Sequence, residues 1–348
     1  MGHRLSKLKK ILFKQTSQNV IHRPNIIRRE TGSEILVEVL QIFPYRVIEG
    51  RIFLVDNERY VMPCDIPEKE RLVTQHELYK RIWNDNFSSP IHERLNQGGM
   101  RVLDVGCGSG AWILDMAKEY PASTFLGIDI METSSDIMQQ PPNAGFLQFN
   151  VLNGLPFPDE TFDFVYQRFL WAAFTPNQWI QLIHELIRVT KKNGRIELME
   201  IEAKIHNPGP IAKKFSDAAQ QHLTSNGIDP KIYRQIRNVI VNSNKFESIK
   251  IFEKRTPLGN WQQASHGIKS LENTVAALKS LQVAFKAVLG VDDHEYKAKG
   301  FPPTGYVEAI YDGPGCDDRS ESFKVESLLA KPAAETEKKQ RLNCQSSC

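Results

Sequence analysis

The feature that most constrains the fold is the run VLDVGCGSG at residues 102–110. Its first four residues are typical of a buried strand, and the pattern after it predicts a helix over 111–119. Glycines at this junction let the backbone turn tightly and let a ligand lie against main-chain N–H groups at the helix N-terminus. Gly106, Gly108 and Ala111 also satisfy the dinucleotide fingerprint GxGxxG/A, so the turn alone does not separate one nucleotide ligand from another.

Strand and helix patterns alternate around this turn for about a hundred residues. The predicted strands after the first are 124–130, 146–151, 162–167 and 195–201. A long amphipathic helix is predicted over 178–189, ending at Asn193-Gly194. This alternation indicates an α/β fold with a doubly wound, mostly parallel sheet of the Rossmann-like type. The predicted C-terminal insertions are helices near 211–225, 230–242 and 271–289 and a strand at 248–253.

Asp104 discriminates between the ligands that such a turn can bind. It lies two residues before Gly106, at the end of the first strand. A carboxylate in this place repels a pyrophosphate but attracts the ammonium of an amino-acid-type ligand. S-adenosylmethionine carries that ammonium and no phosphates. Asp104 therefore favours S-adenosylmethionine over NAD or FAD, and an NAD-dependent oxidoreductase is the disfavoured alternative.

Asp129 is the second acidic marker, at the end of the strand FLGID and 23 residues after Gly106. An acid in this place of a doubly wound sheet binds ribose hydroxyls, and the two oxygens of one carboxylate suit a vicinal diol. An isolated Asp at a strand end is more often a helix N-cap. In combination with Asp104 and the glycine turn, the ribose interpretation is favoured.

With these residues in view, residues 101–201 resemble class I S-adenosylmethionine-dependent methyltransferases. VLDVGCGSG matches the first motif of that family, FLGIDI the second, and LPFPDETFD at 155–163 the segment that leads into the fourth strand. The runs YVMPCDIPEKERLVTQHELYKRIW and GSGAWILDMAKEYP are similar to fungal methyltransferases of the trans-aconitate-methyltransferase-like and secondary-metabolism-regulator-like type, over roughly residues 60–295. The resemblance implies a methyltransferase that methylates a small-molecule acceptor with S-adenosylmethionine as cofactor and no metal.

The resemblance also implies which residues surround the cofactor. They are Asp104, Gly106, Cys107, Gly108, Gly110, Trp112, Asp129, Ile130, Asn150, Val151 and Gln167. Asp104 would hold the methionine ammonium and Asp129 the ribose hydroxyls. Ile130, Asn150 and Val151 would border the adenine.

Three of these positions keep an alternative open. Asn150 stands where many relatives have Asp, although its side-chain carbonyl can still accept a hydrogen bond from the adenine amine. Trp112 packs either on the cofactor or within the helix packing. Cys107, at a helix N-terminus, is either an activated thiol or a small residue tolerated in the turn, and the second interpretation is favoured.

No dedicated general base is recognisable in the sequence. Methyl transfer is an in-line displacement at an activated sulfonium carbon, so the enzyme mainly aligns the acceptor and excludes water. The weak catalytic candidates are His76, Gln167 and Arg168, the last two where acceptor and donor meet. A lone helical His is more often structural. A methyltransferase-like regulatory or interaction protein that binds the cofactor with little or no turnover is therefore the alternative.

The chain is predicted to divide into four segments. Residues 1–33 are a basic disordered tail, and residues 34–99 an extension with short strands, turns at Glu49-Gly50 and Asp56-Asn57, and a helix over 68–83 that covers the cofactor. Residues 100–312 are the methyltransferase domain, with its core at 100–203 and acceptor-side helices at 205–300. Residues 313–348 are a second disordered tail. The candidate for the final antiparallel strand of the fold is 305–311.

The formal net charge of +3 is unevenly distributed. Residues 1–30 hold eight Lys or Arg and one acid, so this segment carries +7 and the remainder −4. A mildly acidic body is not typical of a nucleic-acid-binding domain. Met1–Ser6 fits the N-myristoylation pattern, and Lys7, Lys9 and Lys10 add a polybasic patch, the usual second membrane signal. A solvated tail and a nuclear-import cluster are the alternatives.

Location follows from the same segment and from the cysteines. Five scattered cysteines without a CxxC pair predict neither a disulfide framework nor a zinc site. No run approaches the roughly 20 apolar residues of a membrane-spanning helix. We therefore expect a cytoplasmic protein that contacts membranes through residues 1–14, with the nucleus as the alternative.

Overall fold

The computed structural model describes residues 21–31, 34–55, 61–133, 140–202, 205–243, 245–259, 266–289, 292–298 and 322–332. In chain order its elements are β1 (Ile21–Thr31), β2 (Glu34–Ile48), β3 (Arg51–Leu54), α1 (Ile66–Trp83), α2 (His92–Gln97), β4 (Arg101–Val105), α3 (Ala111–Glu119), β5 (Thr124–Asp129), β6 (Ala144–Gln148), β7 (Phe162–Arg168), α4 (Pro176–Val189), β8 (Thr190–Ile201), α5 (Pro210–Ser225), α6 (Ile232–Asn242), β9 (Phe246–Pro257), α7 (Gly267–Ser280), α8 (Gln282–Leu289), α9 (Asp293–Ala298) and β10 (Ser322–Pro332).

These elements form two compact units, each built from separate stretches of the chain. The first contains the described parts of residues 1–78, 204–226 and 256–323, and the second those of residues 79–203, 227–255 and 324–348. The predicted boundary at 99–100 does not separate them, because the second unit begins at Tyr79.

The first unit contains an antiparallel sheet in the order β1-β2-β3. Glu49 and Gly50 connect β2 to β3 with positive φ angles of 50° and 76°, as the sequence predicted for this turn. Asp65 then joins β3 to α1: its carboxylate pairs with Arg51 at 2.6 Å and accepts the Glu68 N–H at 3.2 Å. The carboxylate thus caps the first turn of α1 while it anchors the hairpin.

The second unit contains a seven-stranded sheet in the order β6-β5-β4-β7-β8-β10-β9. Neighbours from β6 to β8 are parallel, and β10 runs antiparallel to β8. The carboxyl ends of β4, β5 and β7 therefore meet at one edge, which is where ligands bind in open α/β sheets. This arrangement confirms the predicted fold class.

One face of this sheet packs against α3 and the segment that precedes β4. Trp112 on α3 stacks on Tyr166 of β7 with 4.2 Å between ring centroids and 7° between ring planes. The surrounding side chains are nearly all excluded from solvent: Phe87, Ile91, Leu95, Met100, Val102, Ile113, Met116, Phe125 and Phe164. Burial of this apolar set fixes β4 and the glycine turn after it.

Helix α4 shows how sequence and structure agree in detail. Thr175 and Gln178 form a reciprocal capping box, and Pro176 occupies the first turn, where its missing N–H costs nothing. The helix ends at Val189, as the predicted range does. Asn193-Gly194, which was expected to end it, lies within β8, because residues from Thr190 onward pair with β7.

The two predicted tails need correction. Residues 21–31 of the predicted N-terminal tail form β1, which pairs with β2 and shifts register between Pro24 and Ile26. Residues 322–332 of the predicted C-terminal tail form β10. Both segments are polar enough to suggest disorder, but each satisfies its backbone by pairing with a neighbouring strand. The candidate strand 305–311 and the turn at Asp56-Asn57 lie outside the described residues.

Smaller differences concern element boundaries. The third predicted strand, 146–151, is shorter and earlier, and a 3₁₀ turn at Val151–Asn153 follows it. The helix predicted over 271–289 is two helices, α7 and α8.

Candidate active site

The turn between β4 and α3 has the backbone geometry that its glycines predict. Gly106, Gly108 and Gly110 have φ angles of +75°, +55° and +78°. A Cβ on Gly106 would lie 2.7 Å from the Leu170 side chain, and one on Gly110 would lie 2.6 Å from Phe146. The turn thus needs glycine for its backbone angles and for the side chains packed against it.

Asp104 lies at the carboxyl end of β4 and is only 4 % exposed. Burial raises the pKa of its carboxyl to about 7. Arg168 favours the ionised form and Asp129 disfavours it, but neither outweighs the loss of hydration. A ligand cation would restore the ionised form, which is the role predicted for this residue.

Asp129 is fixed by backbone amides at the carboxyl end of β5. Its Oδ2 accepts the Gly108 N–H at 2.8 Å, and its Oδ1 accepts the Met131 N–H at 2.7 Å. Binding of ribose hydroxyls by this carboxylate stays a prediction. The contact with Gly108 ties the carboxylate to the glycine turn, as a shared site requires.

The residues predicted to border the adenine follow β5 and β6 at the same edge. The Ile130 carbonyl accepts from Gln148 Nε2 at 2.9 Å, and Val151 is 8 % exposed. The Asn150 side chain caps the 3₁₀ turn by accepting the Leu152 N–H at 3.1 Å. Since an amide oxygen has two lone pairs, a hydrogen bond from the adenine amine stays a prediction compatible with this cap.

Cys107 and Trp112 both have structural surroundings. The Cys107 sulfur lies 3.7 Å from Thr133 Oγ1, and burial raises the pKa of the thiol well above its usual range. A neutral thiol is a poor nucleophile, which supports the tolerated-residue interpretation. Trp112 is 2 % exposed, stacks on Tyr166 and donates from Nε1 to the Asn86 carbonyl at 2.7 Å. These contacts are those of the packing alternative.

Gln167 and Arg168 end β7 and differ in their surroundings. Gln167 is fully buried, and its Nε2 donates to Glu200 Oε1 at 2.6 Å. The Arg168 guanidinium lies 5.5 Å from the centroid of the Phe169 ring and stabilises the ionised form of Asp104. Of the two, Arg168 acts electrostatically on the predicted cofactor site, whereas Gln167 is engaged with another buried side chain.

Glu200 is a residue that sequence reasoning missed. It lies on β8, is 3 % exposed, and accepts the N–H groups of Leu170 at 2.9 Å and Trp171 at 3.0 Å in addition to Gln167. Burial raises the pKa of its carboxyl to about 8. The available signal was the occurrence of acids inside the predicted buried strand RIELMEI.

His76 belongs to α1 in the first unit and is 5 % exposed. Its role as a general base stays a prediction. Among the described residues, no group of three or more His, Cys, Asp or Glu side chains could hold a metal ion. None of the helices that the structure describes combines the length and apolar character needed to cross a bilayer.

Comparison with known proteins agrees with this geometry. Residues 102–194, which contain the glycine turn, both acidic markers and β7, match the family described as a methyltransferase domain. The secondary metabolism regulator LAE1 of Pyricularia oryzae is 27 % identical over 243 residues, covering 66 % of this chain and 71 % of that protein. The N-methyltransferase verN of Clonostachys rogersoniana is 26 % identical over 250 residues, covering 70 % and 85 %.

Solved structures with a similar course of the chain include the YcgJ protein of Bacillus subtilis. It is 17 % identical with a TM-score of 0.41, covering 70 % of this chain and 98 % of that one. Phosphoethanolamine N-methyltransferase 2 of Haemonchus contortus, in complex with S-adenosyl-L-methionine, is 13 % identical with a TM-score of 0.41, covering 95 % and 75 %.

Proposed function

We propose that this chain, which carries a class I S-adenosylmethionine-dependent methyltransferase domain, transfers a methyl group to a small-molecule acceptor. The observation that carries the proposal is the pairing of two buried carboxylates with one glycine turn. Asp104 and Asp129 end adjacent parallel strands, and Gly108 connects the turn to Asp129. The sequence match over residues 102–194 spans all of these groups.

The residues present fit S-adenosylmethionine. Ionisation of Asp104 costs free energy in the cofactor-free protein because the carboxyl is buried, and a bound ammonium offsets that cost. Asp129, which the Gly108 and Met131 N–H groups hold at the end of β5, is the residue proposed to accept the ribose hydroxyls. The bound cofactor supplies a methyl group already activated by its positive sulfonium.

The chain's own groups bind and orient rather than transfer protons. Asp104 would hold the ammonium of the cofactor and Asp129 its ribose hydroxyls, and both carboxylates are largely shielded from solvent. The positive charge of Arg168 offsets part of the negative charge of ionised Asp104. The Gln167 amide is not a base, and the Arg168 guanidinium has N–H donors but no acceptor, so neither side chain can take a proton from the acceptor. The general-base role of His76 stays a prediction from the sequence.

Methyl transfer is supported by the names of the relatives. Three of them, gliN, verN and sirN, are called N-methyltransferases, at 26–29 % identity. The test is incubation with methyl-labelled donor and a fungal extract, followed by mass spectrometry of the labelled compounds. Labelled small molecules support the proposal. No label in any fraction, from a protein that binds S-adenosylhomocysteine, rejects it.

A second candidate function is regulatory: a protein that binds the cofactor with little or no turnover. It is favoured by the similarity to LAE1, which is named a secondary metabolism regulator, and by the lack of a recognisable base. Both candidates predict binding of S-adenosylhomocysteine in calorimetry. Methyl transfer to any acceptor separates them.

For the location, we propose peripheral membrane contact through residues 1–14 of an otherwise cytoplasmic protein. The support is the myristoylation pattern at Gly2 together with Lys7, Lys9 and Lys10. Nuclear import through the same basic cluster is the alternative.

A further inference from the structure

The turn that follows β7 is held by one buried carboxylate. Glu200 Oε1 accepts the Leu170 N–H at 2.9 Å, and its Oε2 accepts the Trp171 N–H at 3.0 Å. Gln167 Nε2 adds a third donor at 2.6 Å, and the backbone of Ile201 contributes a further hydrogen bond. These donors fill the roughly four lone-pair positions of a carboxylate. Glu200 is therefore committed to holding the turn and has no capacity left to act as a base.

The turn itself has a conformation that needs such support. Phe169 has a φ angle of +61°, a left-handed conformation that costs about 1–2 kcal/mol for a residue with a side chain. The Phe169 N–H continues the pairing with β8 by donating to the Met199 carbonyl at 2.9 Å. Without the carboxylate, the N–H groups of two half-buried residues beside a strained one would lose these acceptors.

The same turn contacts the predicted cofactor site through Leu170. The Leu170 side chain occupies the space directly above Gly106, where any Cβ would come within 2.7 Å of it. Leu170 is thus in contact with Gly106, the first glycine of the turn between β4 and α3, which lies two residues after Asp104. The position of its backbone N–H, fixed by Glu200, determines where this side chain lies.

We propose that Glu200 is a positioning residue for cofactor binding, which acts by seating Leu170 against Gly106. The inference rests on the proposed function, because it takes the glycine turn to be the cofactor site. In this proposal Glu200 acts through Leu170 and not by touching the cofactor. It fixes the turn after β7, and the turn fixes the outer side of the Gly106 backbone.

A double-mutant cycle with S-adenosylhomocysteine as the probe tests this proposal. Glu200→Gln keeps the shape of the side chain but replaces one acceptor oxygen with a donor, and we expect the Kd in calorimetry to rise about tenfold. Leu170→Ala should also raise the Kd. If Glu200 acts through Leu170, Glu200→Gln in the Leu170→Ala background changes the Kd less than about twofold.

Glu197→Gln is the matched control. Glu197 lies on the same strand, is fully buried, and also accepts two backbone N–H groups, from Ser88 and Ser89 at 2.8 and 2.9 Å. Its hydrogen bonds hold the loop before α2 instead of the turn after β7. The change in binding free energy caused by Glu197→Gln should therefore add to the change caused by Leu170→Ala.

Several results would overturn the proposal. They are an unchanged Kd in folded Glu200→Gln, additivity of Glu200→Gln with Leu170→Ala, or equal coupling of Leu170 to Glu197 and Glu200. If Glu200→Gln does not fold, Glu200→Asp takes its place, because it keeps the carboxyl group and withdraws it by one methylene. A wild-type chain that does not bind S-adenosylhomocysteine removes the proposed function too, whereas binding without coupling removes this inference alone.

Discussion

Burial of the Asp104 carboxyl lowers the stability of the folded protein above neutral pH and suits the residue to bind a cation. Its folded-state pKa, about 7, lies above the ordinary value of 3.8. The folded protein therefore holds a proton that the unfolded chain has released, and stability present below pH 4 is lost as the pH rises through 7. We expect Asp104→Asn to raise the free energy of unfolding at pH 8.5 by on the order of 1–4 kcal/mol. Urea unfolding at several pH values measures this, and a difference that is the same at pH 4.5 and pH 8.5 would contradict it.

The same carboxyl should make cofactor binding release a proton. Below pH 7 Asp104 is mostly protonated in the free protein, and a ligand ammonium lowers its pKa. We expect S-adenosylhomocysteine binding at pH 6 to release up to one proton and to strengthen as the pH rises to 7. Calorimetry in two buffers of different ionisation enthalpy counts the protons. Asp104→Asn is the control, and equal proton release from it would assign the proton to another group.

Gly106 is expected to tolerate no side chain. Its φ of +75° strains any other residue, and a Cβ would meet Leu170. Gly99 has the same φ of +75° and nothing within 4 Å of its hypothetical Cβ. We expect Gly99→Ala to lose about 1 kcal/mol and Gly106→Ala about 2–3 kcal/mol, measured by thermal unfolding. Adding Leu170→Ala to Gly106→Ala should recover the difference, and equal losses at the two glycines would exclude the Leu170 contact as a cause.

The sequence predicts the role of a residue when that role depends only on its position in a local motif. Asp104 and Asp129 were predicted because each lies at the end of a recognisable strand, and Asp104 directly precedes the glycine turn. Glu200 was not found, because its role depends on the Leu170 and Trp171 amides, which lie in the turn after β7 about 30 residues earlier. Trp112 was open for a similar reason, since the stacking partner, Tyr166, is distant in sequence.

Among the elements, β10 is the one on which the sheet most depends. It lies between β8 and β9, and Leu328, Leu329 and Ala330 are buried there. A chain ended after residue 321 loses this strand and should fail to fold cooperatively, because β8 and β9 lose their shared neighbour. Circular dichroism during urea unfolding measures cooperativity. A chain ended after Pro332 keeps β10 and controls for the loss of residues 333–348; equal behaviour of the two truncations would exclude a structural role of β10.

Elements with strong periodicity and local caps were the ones that the sequence predicted. Helix α4 carries its own capping box, and β4, β5 and β7 are nearly continuous apolar runs. Strand β10 has neither signal, since its sequence SFKVESLLAKP mixes charged and apolar residues within a polar segment. Its conformation is determined by the edge of β8, a tertiary partner more than a hundred residues away.

The basic N-terminal segment allows the location of the protein to be tested independently of its activity. If Gly2 is acylated, protein from a fungal host carries the mass of a myristoyl group and sediments with vesicles that contain phosphatidylserine. Gly2→Ala should remove both the mass and the sedimentation, since a basic patch alone binds weakly. Replacing Lys7, Lys9 and Lys10 with Gln should keep the mass but reduce sedimentation. An unmodified mass in the wild type would leave nuclear import as the explanation of the basic cluster.

The division of the chain into two units could not be predicted from the sequence. Periodicity describes each stretch by itself, whereas the first unit joins stretches near residues 1–78, 204–226 and 256–323. Their association depends on contacts such as that of Arg71 with Asn273 at 3.3 Å and of Ser280 with Glu68 at 2.6 Å. No local sequence pattern predicts a contact between residues 200 positions apart.

The place of β10 between β8 and β9 also has a consequence for synthesis on the ribosome. The chain emerges from its N-terminus, so β8 and β9 are complete long before the strand that separates them. During that interval the edge of β8 has unpaired amides and carbonyls, and β9 is the next strand available to take them. A nascent chain must therefore postpone closure of its sheet or reopen a wrong pairing once residues 322–332 arrive. We expect slow refolding from denaturant and a dependence on chaperones that hold the edge of β8 until the last strand has been made.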